Sequence, residues 1–207
     1  MSFFKKLFSQ TKKPEGILGK MMVNSMNAGH SPMAIWGMQF LPANQPKQVA
    51  DLGCGGGQNT ANLLDKFAQA KVTAVDYSEV SVAKTKQKNE EAIKQGRCQV
   101  IQGDVSHLSL ADDTYDLVTA FETIYFWPGP VQSFKEVYRI LKSDGYFIIV
   151  NECDGTNPKD QKWLDMIDGM TIYEKTDLIA KLQEAGFESV KVEHDTSKHW
   201  ICFVAHK

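Results

Sequence analysis

From about residue 46 onward, short runs rich in β-branched and aromatic residues alternate with longer segments of mixed polarity, and this alternation restricts the fold more than any other feature. Strand-sized runs fall at 48–51, 72–76, 99–102, 115–121, 146–151, 189–194 and 200–206. Helix-length segments fit between them at 59–70, 79–95, 131–141 and 176–185. Strands alternating with helices build βα units around a parallel sheet covered on both faces. The last two runs are separated by a few residues around 195–198, too few for a parallel crossover, so they pair antiparallel. The expected architecture is α/β: a seven-stranded, mostly parallel sheet ending in an antiparallel C-terminal hairpin. A chain of 207 residues suits one domain, with a helical cap over 1–45, a core over 46–207 and an acidic, tryptophan-bearing connection over 152–175. The cap segment 15–41 reads as two helices, the second opening at Ser31-Pro32, where serine can cap and proline can take the first helical position. Its methionines, with Trp36, suit either packing or an adaptable lid.

The first strand runs into "ADLGCGGGQ", four glycines in five positions before a helix. Glycine lets a ligand approach the main chain, at an entropic cost on folding, so the cluster suggests a bound cofactor; a tight turn without a ligand is the alternative. No lysine follows Gly57, which removes the triphosphate loop. Gln58 and Thr60 stand where a dinucleotide loop would want glycine. Asp51, at the carboxyl end of the strand, would repel a pyrophosphate and favour a cationic group. The helix start beyond the loop can meet a carboxylate. Asp76 ends the second strand about 20 residues on, the place of a ribose-binding carboxylate, and Asp104 follows the third. A ligand with an ammonium, a carboxylate and an adenosine suits the set.

These residues resemble the signature of the class I S-adenosylmethionine-dependent methyltransferases, small bacterial small-molecule members in particular. "VADLGCGGG" is similar to the first motif, "VDYS" to the acidic ribose motif, "GDVSHLSLADDTYDLV" to the adenine motif, and "VYRILKSDGYFIIV" to the approach to the fifth strand. The resemblance implies a Rossmann-like fold, S-adenosylmethionine as cofactor and S-adenosylhomocysteine as product. It places Asp51, Gly53, Cys54 and Gly55 around the methionine part, Asp76 and Tyr77 at the ribose and adenine, Asp104 and Val105 at the adenine edge, and Phe121 beside the methyl. Lys142-Ser143-Asp144-Gly145 departs from the family's usual Lys-Pro-Gly-Gly, a change in a turn.

Methyl transfer from a sulfonium is an in-line displacement that positioning can accelerate, so a general base is optional. Glu122 and His30 are the candidates, each with a plainer role as an orienting group or cofactor contact. "FETIYFWPGP" puts Tyr125 and Trp127 at the carboxyl edge, and with Trp36 they are the acceptor-side candidates for an apolar or cationic small molecule. The absence of an Asn/Asp-Pro-Pro-Tyr/Phe sequence argues against adenine or glutamine as acceptor. Protein or RNA methylation, or a non-catalytic sensor that keeps the cofactor pocket, are the other readings. A net charge of -2 offers no footprint for nucleic acid. Four scattered cysteines read as reduced cytoplasmic thiols, and no metal ligation pattern is present. "MSFFKKLFSQTKK" lacks the continuous apolar stretch of a signal peptide, and no run has transmembrane length. A monomer or homodimer, not inserted in a membrane, is expected.

Overall fold

The computed structural model describes residues 31–41, 43 and 45–207. Seven strands, β1 Gln48–Leu52, β2 Lys71–Asp76, β3 Cys98–Gln102, β4 Tyr115–Phe121, β5 Leu141–Asn151, β6 Ser189–Asp195 and β7 Trp200–His206, form one sheet in the order β3-β2-β1-β4-β5-β7-β6. Strands β1 to β5 are parallel, and β7 runs antiparallel to both β5 and β6. The helices are α1 Ser31–Gly37, α2 Gln58–Lys66, α3 Glu79–Lys88, α4 Glu90–Lys94, α5 Pro130–Ile140, α6 Gln161–Met166 and α7 Lys175–Glu184.

The central strands β1, β2, β4 and the second half of β5 are mostly apolar because both faces are buried, whereas the edge strands β3 and β6 carry exposed polar residues. Along β5, Phe147 and Ile149 enter one apolar cluster, with Phe134 and Val137 of α5 and Leu178 and Leu182 of α7. The intervening Ile148 and Val150 enter the other, with Met33 of α1 and Leu63 and Leu64 of α2. The chain runs outward from β1 to β3, then returns to place β4 on the other flank of β1. That reversal opens a crevice at the carboxyl ends of β1 and β4, where ligands of open α/β sheets bind.

Three boundaries differ from the sequence reading, each for a local reason. The single helix expected over 79–95 breaks at Asn89, whose amide donates to Gly57 O at 3.1 Å and to Thr85 O at 3.0 Å. The helix expected over 59–70 stops at Lys66, because the Arg97 guanidinium takes the carbonyls of Leu64 and Phe67. β5 begins at Leu141 rather than Tyr146, with a register shift against β4 that absorbs Lys142 to Gly145. The helix at Ser31-Pro32 forms as expected; the preceding cap helix and His30 lie outside the described residues.

Candidate functional site

The glycine loop joins β1 to α2, and its glycines have different reasons to be there. Gly53 has φ +74°, and a Cβ there would sit 2.0 Å from Thr123 Oγ1. Gly57 has φ +77°, and a Cβ would meet Thr85 Cα at 2.8 Å. Both positions are occupied by the protein's own close packing, as the turn reading supposed. Gly55, at φ +55°, has nothing within 4 Å of a would-be Cβ among the described residues, so these residues leave an open approach there. Several of the loop's N–H groups are engaged within the protein. Gly53 and Cys54 N–H both donate to Val75 O, Gly57 N–H to Cys54 O, and Gly55 N–H to Asp76 Oδ2 at 2.9 Å. Beyond Gly57, α2 starts without a side-chain cap hydrogen bond, which leaves its first-turn N–H groups uncapped by a side chain.

Of the three acidic residues, two are built into this loop. Asp51 is 1 % exposed and accepts from Thr60 Oγ1 at 2.6 Å and Thr119 Oγ1 at 3.2 Å. Burial pushes its carboxyl up to about 6, against the opposing pull of the two hydroxyls. Asp76 Oδ1 accepts from Ser78 N–H while its Oδ2 holds Gly55, and burial raises its pKa above the usual carboxylate range. Asp104 is exposed and closes a turn with Ser106, accepting from both its N–H and its hydroxyl. Tyr77 is 39 % exposed beside Asp76, Val105 packs at the margin of the apolar cluster, and Cys54 is buried with its thiol 3.5 Å from Thr85 Oγ1.

The raised Asp51 pKa carries a stability consequence. An acid whose folded pKa lies above its unfolded value contributes most below the unfolded value, and that contribution is lost as pH rises through the folded one. Asp51→Asn, which never ionises, is therefore expected to gain stability over the parent at pH 8, by at most roughly 3 kcal/mol for a shift of about two pKa units. The gain should vanish near pH 4. Thermal melts of both proteins at the two pH values check it, and a gain that is independent of pH would refute the electrostatic cause.

At the carboxyl end of β4, Phe121 is buried against the α1–α2 side and Glu122 adopts φ +57°, a left-handed conformation that costs a residue with a Cβ about 1–2 kcal/mol. The Glu122 carboxylate accepts from Tyr125 OH at 2.9 Å and from Glu152 N–H, while Tyr125 OH accepts from Cys153 N–H at 3.1 Å. Glu122 thus ties the segment after β4 to the segment after β5. Two of the acceptor-side candidates are buried. Trp127 is 7 % exposed and stacks on Phe147 at 6.0 Å within the core, and Tyr125 is 2 % exposed, so packing claims both rings. Trp36 stands apart from them, against Phe40 and Trp200 on the β7 side.

Sequence reasoning missed a polar cluster at the same edge. Asp154, 1 % exposed just after β5, accepts from His194 Nε2 at 2.7 Å and His199 Nδ1 at 3.1 Å on one oxygen. Its other oxygen takes the N–H and hydroxyl of Thr156. Burial alone would raise the Asp154 pKa; the hydrogen bonds of Thr156, His194 and His199 outweigh it and hold the group at about 2. The partners are 40 and 45 residues away in sequence, so no local motif announces them.

Comparison with known proteins agrees with this geometry. The model of the methyltransferase domain family matches residues 50–149, the span that contains the glycine loop, Asp76, Asp104 and Phe121. A curated relative, cycloartenol-C-24-methyltransferase 1 of Oryza sativa subsp. japonica, is 28% identical over 152 residues, covering 69% of this chain and 44% of that protein. The chain spans less than half the length of the first curated relatives it matches. Among solved structures, the methyltransferase partner in the Haloferax volcanii Trm112 complex superposes with TM-score 0.81 at 19% identity, over 90% of this chain and 93% of that one. The [4+2]-cyclase SpnF superposes with TM-score 0.73 at 16% identity, over 87% of this chain and 81% of its own. Sheet order, crevice and domain match agree: the chain belongs to the class I S-adenosylmethionine-dependent methyltransferase family.

Proposed function

We propose that this protein transfers a methyl group from S-adenosylmethionine to a small-molecule acceptor by in-line displacement. The observation that carries this reading is the open face of Gly55 beside Asp76 at the point where the strand order reverses. The fit with the cofactor is chemical. Asp76, Tyr77, Asp104 and Val105 would hold the adenosine, and Asp51, Gly53, Cys54, Gly55 and the start of α2 the amino-acid end, with Phe121 bordering the methyl. When bound, the sulfonium supplies an electrophilic methyl. The chain's part is to place the acceptor in line with it and keep water out. Asp51 would act on an ammonium through charge, since hydroxyls of Thr60 and Thr119 already bond its oxygens. Glu122 would fix the mouth of the site; its bonds to Tyr125 and Glu152 favour the orienting role over that of a base. The cap and the connection over 152–175 would form the acceptor side.

The small-molecule reading is supported by the distant curated relative, whose acceptor is named as cycloartenol. A second reading follows from the likeness to a cyclase, since one fold hosts several reactions. Incubation with methyl-labelled S-adenosylmethionine and a small-molecule cell extract separates them. Label in a low-mass product is expected. Binding of S-adenosylhomocysteine without any transfer would favour a sensor or a different reaction, and label only in macromolecules would overturn the small-molecule acceptor.

A further inference from the structure

The connection between β5 and α7 is fastened at both ends. At its start, Asp154 is held by Thr156, His194 and His199, and Cys153 N–H donates to Tyr125 OH at 3.1 Å. At its far end, Thr171 N–H donates to Tyr125 O at 2.9 Å. The two stems also touch, since a Cβ on Gly155 would lie 3.1 Å from Glu174 Cα. Gly155, at φ +79°, and Gly169, at φ +76°, stand just inside these fastenings, where a change in chain direction meets the least resistance.

The stretch between them, 157–168, is held far more loosely. Its backbone–backbone hydrogen bonds among the described residues close within 157–170. Helix α6 buries none of its residues, and over 157–168 Ile167, 4 % exposed, is the buried one. A cavity of about 260 Å³ is lined by Asp160, Gln161 and Leu164 from this stretch and by Ile172 and Glu174 from the far stem, so packing between them is incomplete. Local backbone bonds with little buried apolar contact mark a segment able to open while the rest stays folded.

Asp160 decides how firmly the stretch stays down. Its carboxyl bonds the Cys153 thiol on the β5 stem, while its Oδ2 is buried with no hydrogen-bond partner among the described residues. The groups acting on it are Cys153 and Asp154 at the end of β5, His199 of the hairpin and Lys162 of α6, with Glu174 on the same cavity. Burial and then the Asp154 charge raise its pKa, against the Cys153 bond and the His199 and Lys162 charges. A buried, unpaired carboxylate oxygen is costly, and opening returns it to water. The raised group therefore favours the closed position when protonated, and that preference is lost as pH rises through its closed-state value.

We infer that 157–168 is a flap that swings between posts at Asp154 and Thr171, with Asp160 as its latch: neutral, it holds the flap to the β5 stem, and ionised, it releases it. That the flap covers the acceptor side rests on the function proposed above; that it opens does not. Hydrogen exchange of the whole protein, read by mass spectrometry, is the test. Amides of 159–168 are expected to exchange about 100-fold or more faster than those of β5. Corrected for intrinsic exchange, their protection should fall about tenfold between pH 4 and pH 7, the effect of a shift of about one pKa unit. Asp160→Asn, which stays neutral, should keep the low-pH protection at pH 7, whereas Asp160→Ala, without the tie to Cys153, should leave the flap unprotected at both. Unchanged S-adenosylhomocysteine affinity in each variant reports that it is folded. Flap amides as slow as those of β5, or a pH dependence undiminished in Asp160→Asn, would overturn the latch and flap. Failure of the parent protein to bind S-adenosylhomocysteine would instead count against the cofactor reading, and the flap would still stand or fall on its exchange.

Discussion

Asp76→Arg is expected to lower the affinity for S-adenosylmethionine and S-adenosylhomocysteine by about 100-fold or more, the combined effect of losing two buried acceptors worth roughly 1–3 kcal/mol each. One carboxylate does two jobs here. Its Oδ2 holds Gly55 N–H and its Oδ1 holds Ser78 N–H, so it ties the open glycine to the start of α3. In the function proposed above, the same oxygens would also accept from a ribose diol. Arginine accepts from neither N–H, and it swings a long cation across the approach that Gly55 leaves clear. Calorimetric titration of the folded variant, checked by circular dichroism, reads the loss. An unchanged affinity would mean that the cofactor lies elsewhere on the sheet edge. Asp104→Ala is the informative comparison: Asp104 is exposed and closes only its own turn with Ser106, so its removal should cost far less.

Much of this framework was legible because burial leaves a direct trace in sequence. A parallel strand covered on both faces must be apolar along its length, and β1, β2, β4 and β5 carry that signature. The short 195–198 connection likewise fixed the antiparallel hairpin. Helix ends were less legible, because side chains distant in sequence decide them: Arg97 stops α2 from 31 residues beyond its last residue, Lys66, and Asn89 leaves the helix to bond Gly57. The site divides the same way. Asp51, Gly55 and Asp76 meet because the β1 and β2 carboxyl ends are register neighbours, Asp51 pairing with Ala74 and Leu52 with Val75. The aromatic run after β4 did not announce its packing, since the short helical turn over Ile124–Phe126 draws Ile124 and Tyr125 inward and Trp127 joins the core behind it. The Asp154 cluster needed the β6–β7 hairpin folded back on the end of β5, which no spacing rule encodes.

The glycine loop offers the sharpest test of how its residues divide between folding and binding. Alanine at Gly53 would drive its Cβ to 2.0 Å from Thr123 Oγ1, and Thr123 cannot retreat freely because its hydroxyl accepts from Trp127 Nε1 at 3.2 Å. Alanine at Gly57 would collide at 2.8 Å with the Cα of Thr85, a backbone atom of a packed helix. Positive φ adds strain at both, so each substitution is expected to cost roughly 4 kcal/mol or more, a large share of a domain's stability. Gly55→Ala meets open space and carries only the left-handed penalty of about 1–2 kcal/mol. Its Cβ would nonetheless project into the approach beside Asp76, so cofactor affinity should fall while the fold survives. Denaturant unfolding of the three variants, with titration of S-adenosylhomocysteine into Gly55→Ala, reads both quantities. Equal destabilisation at all three positions would refute the division, and full affinity in Gly55→Ala would place the ligand away from the face that this glycine leaves open.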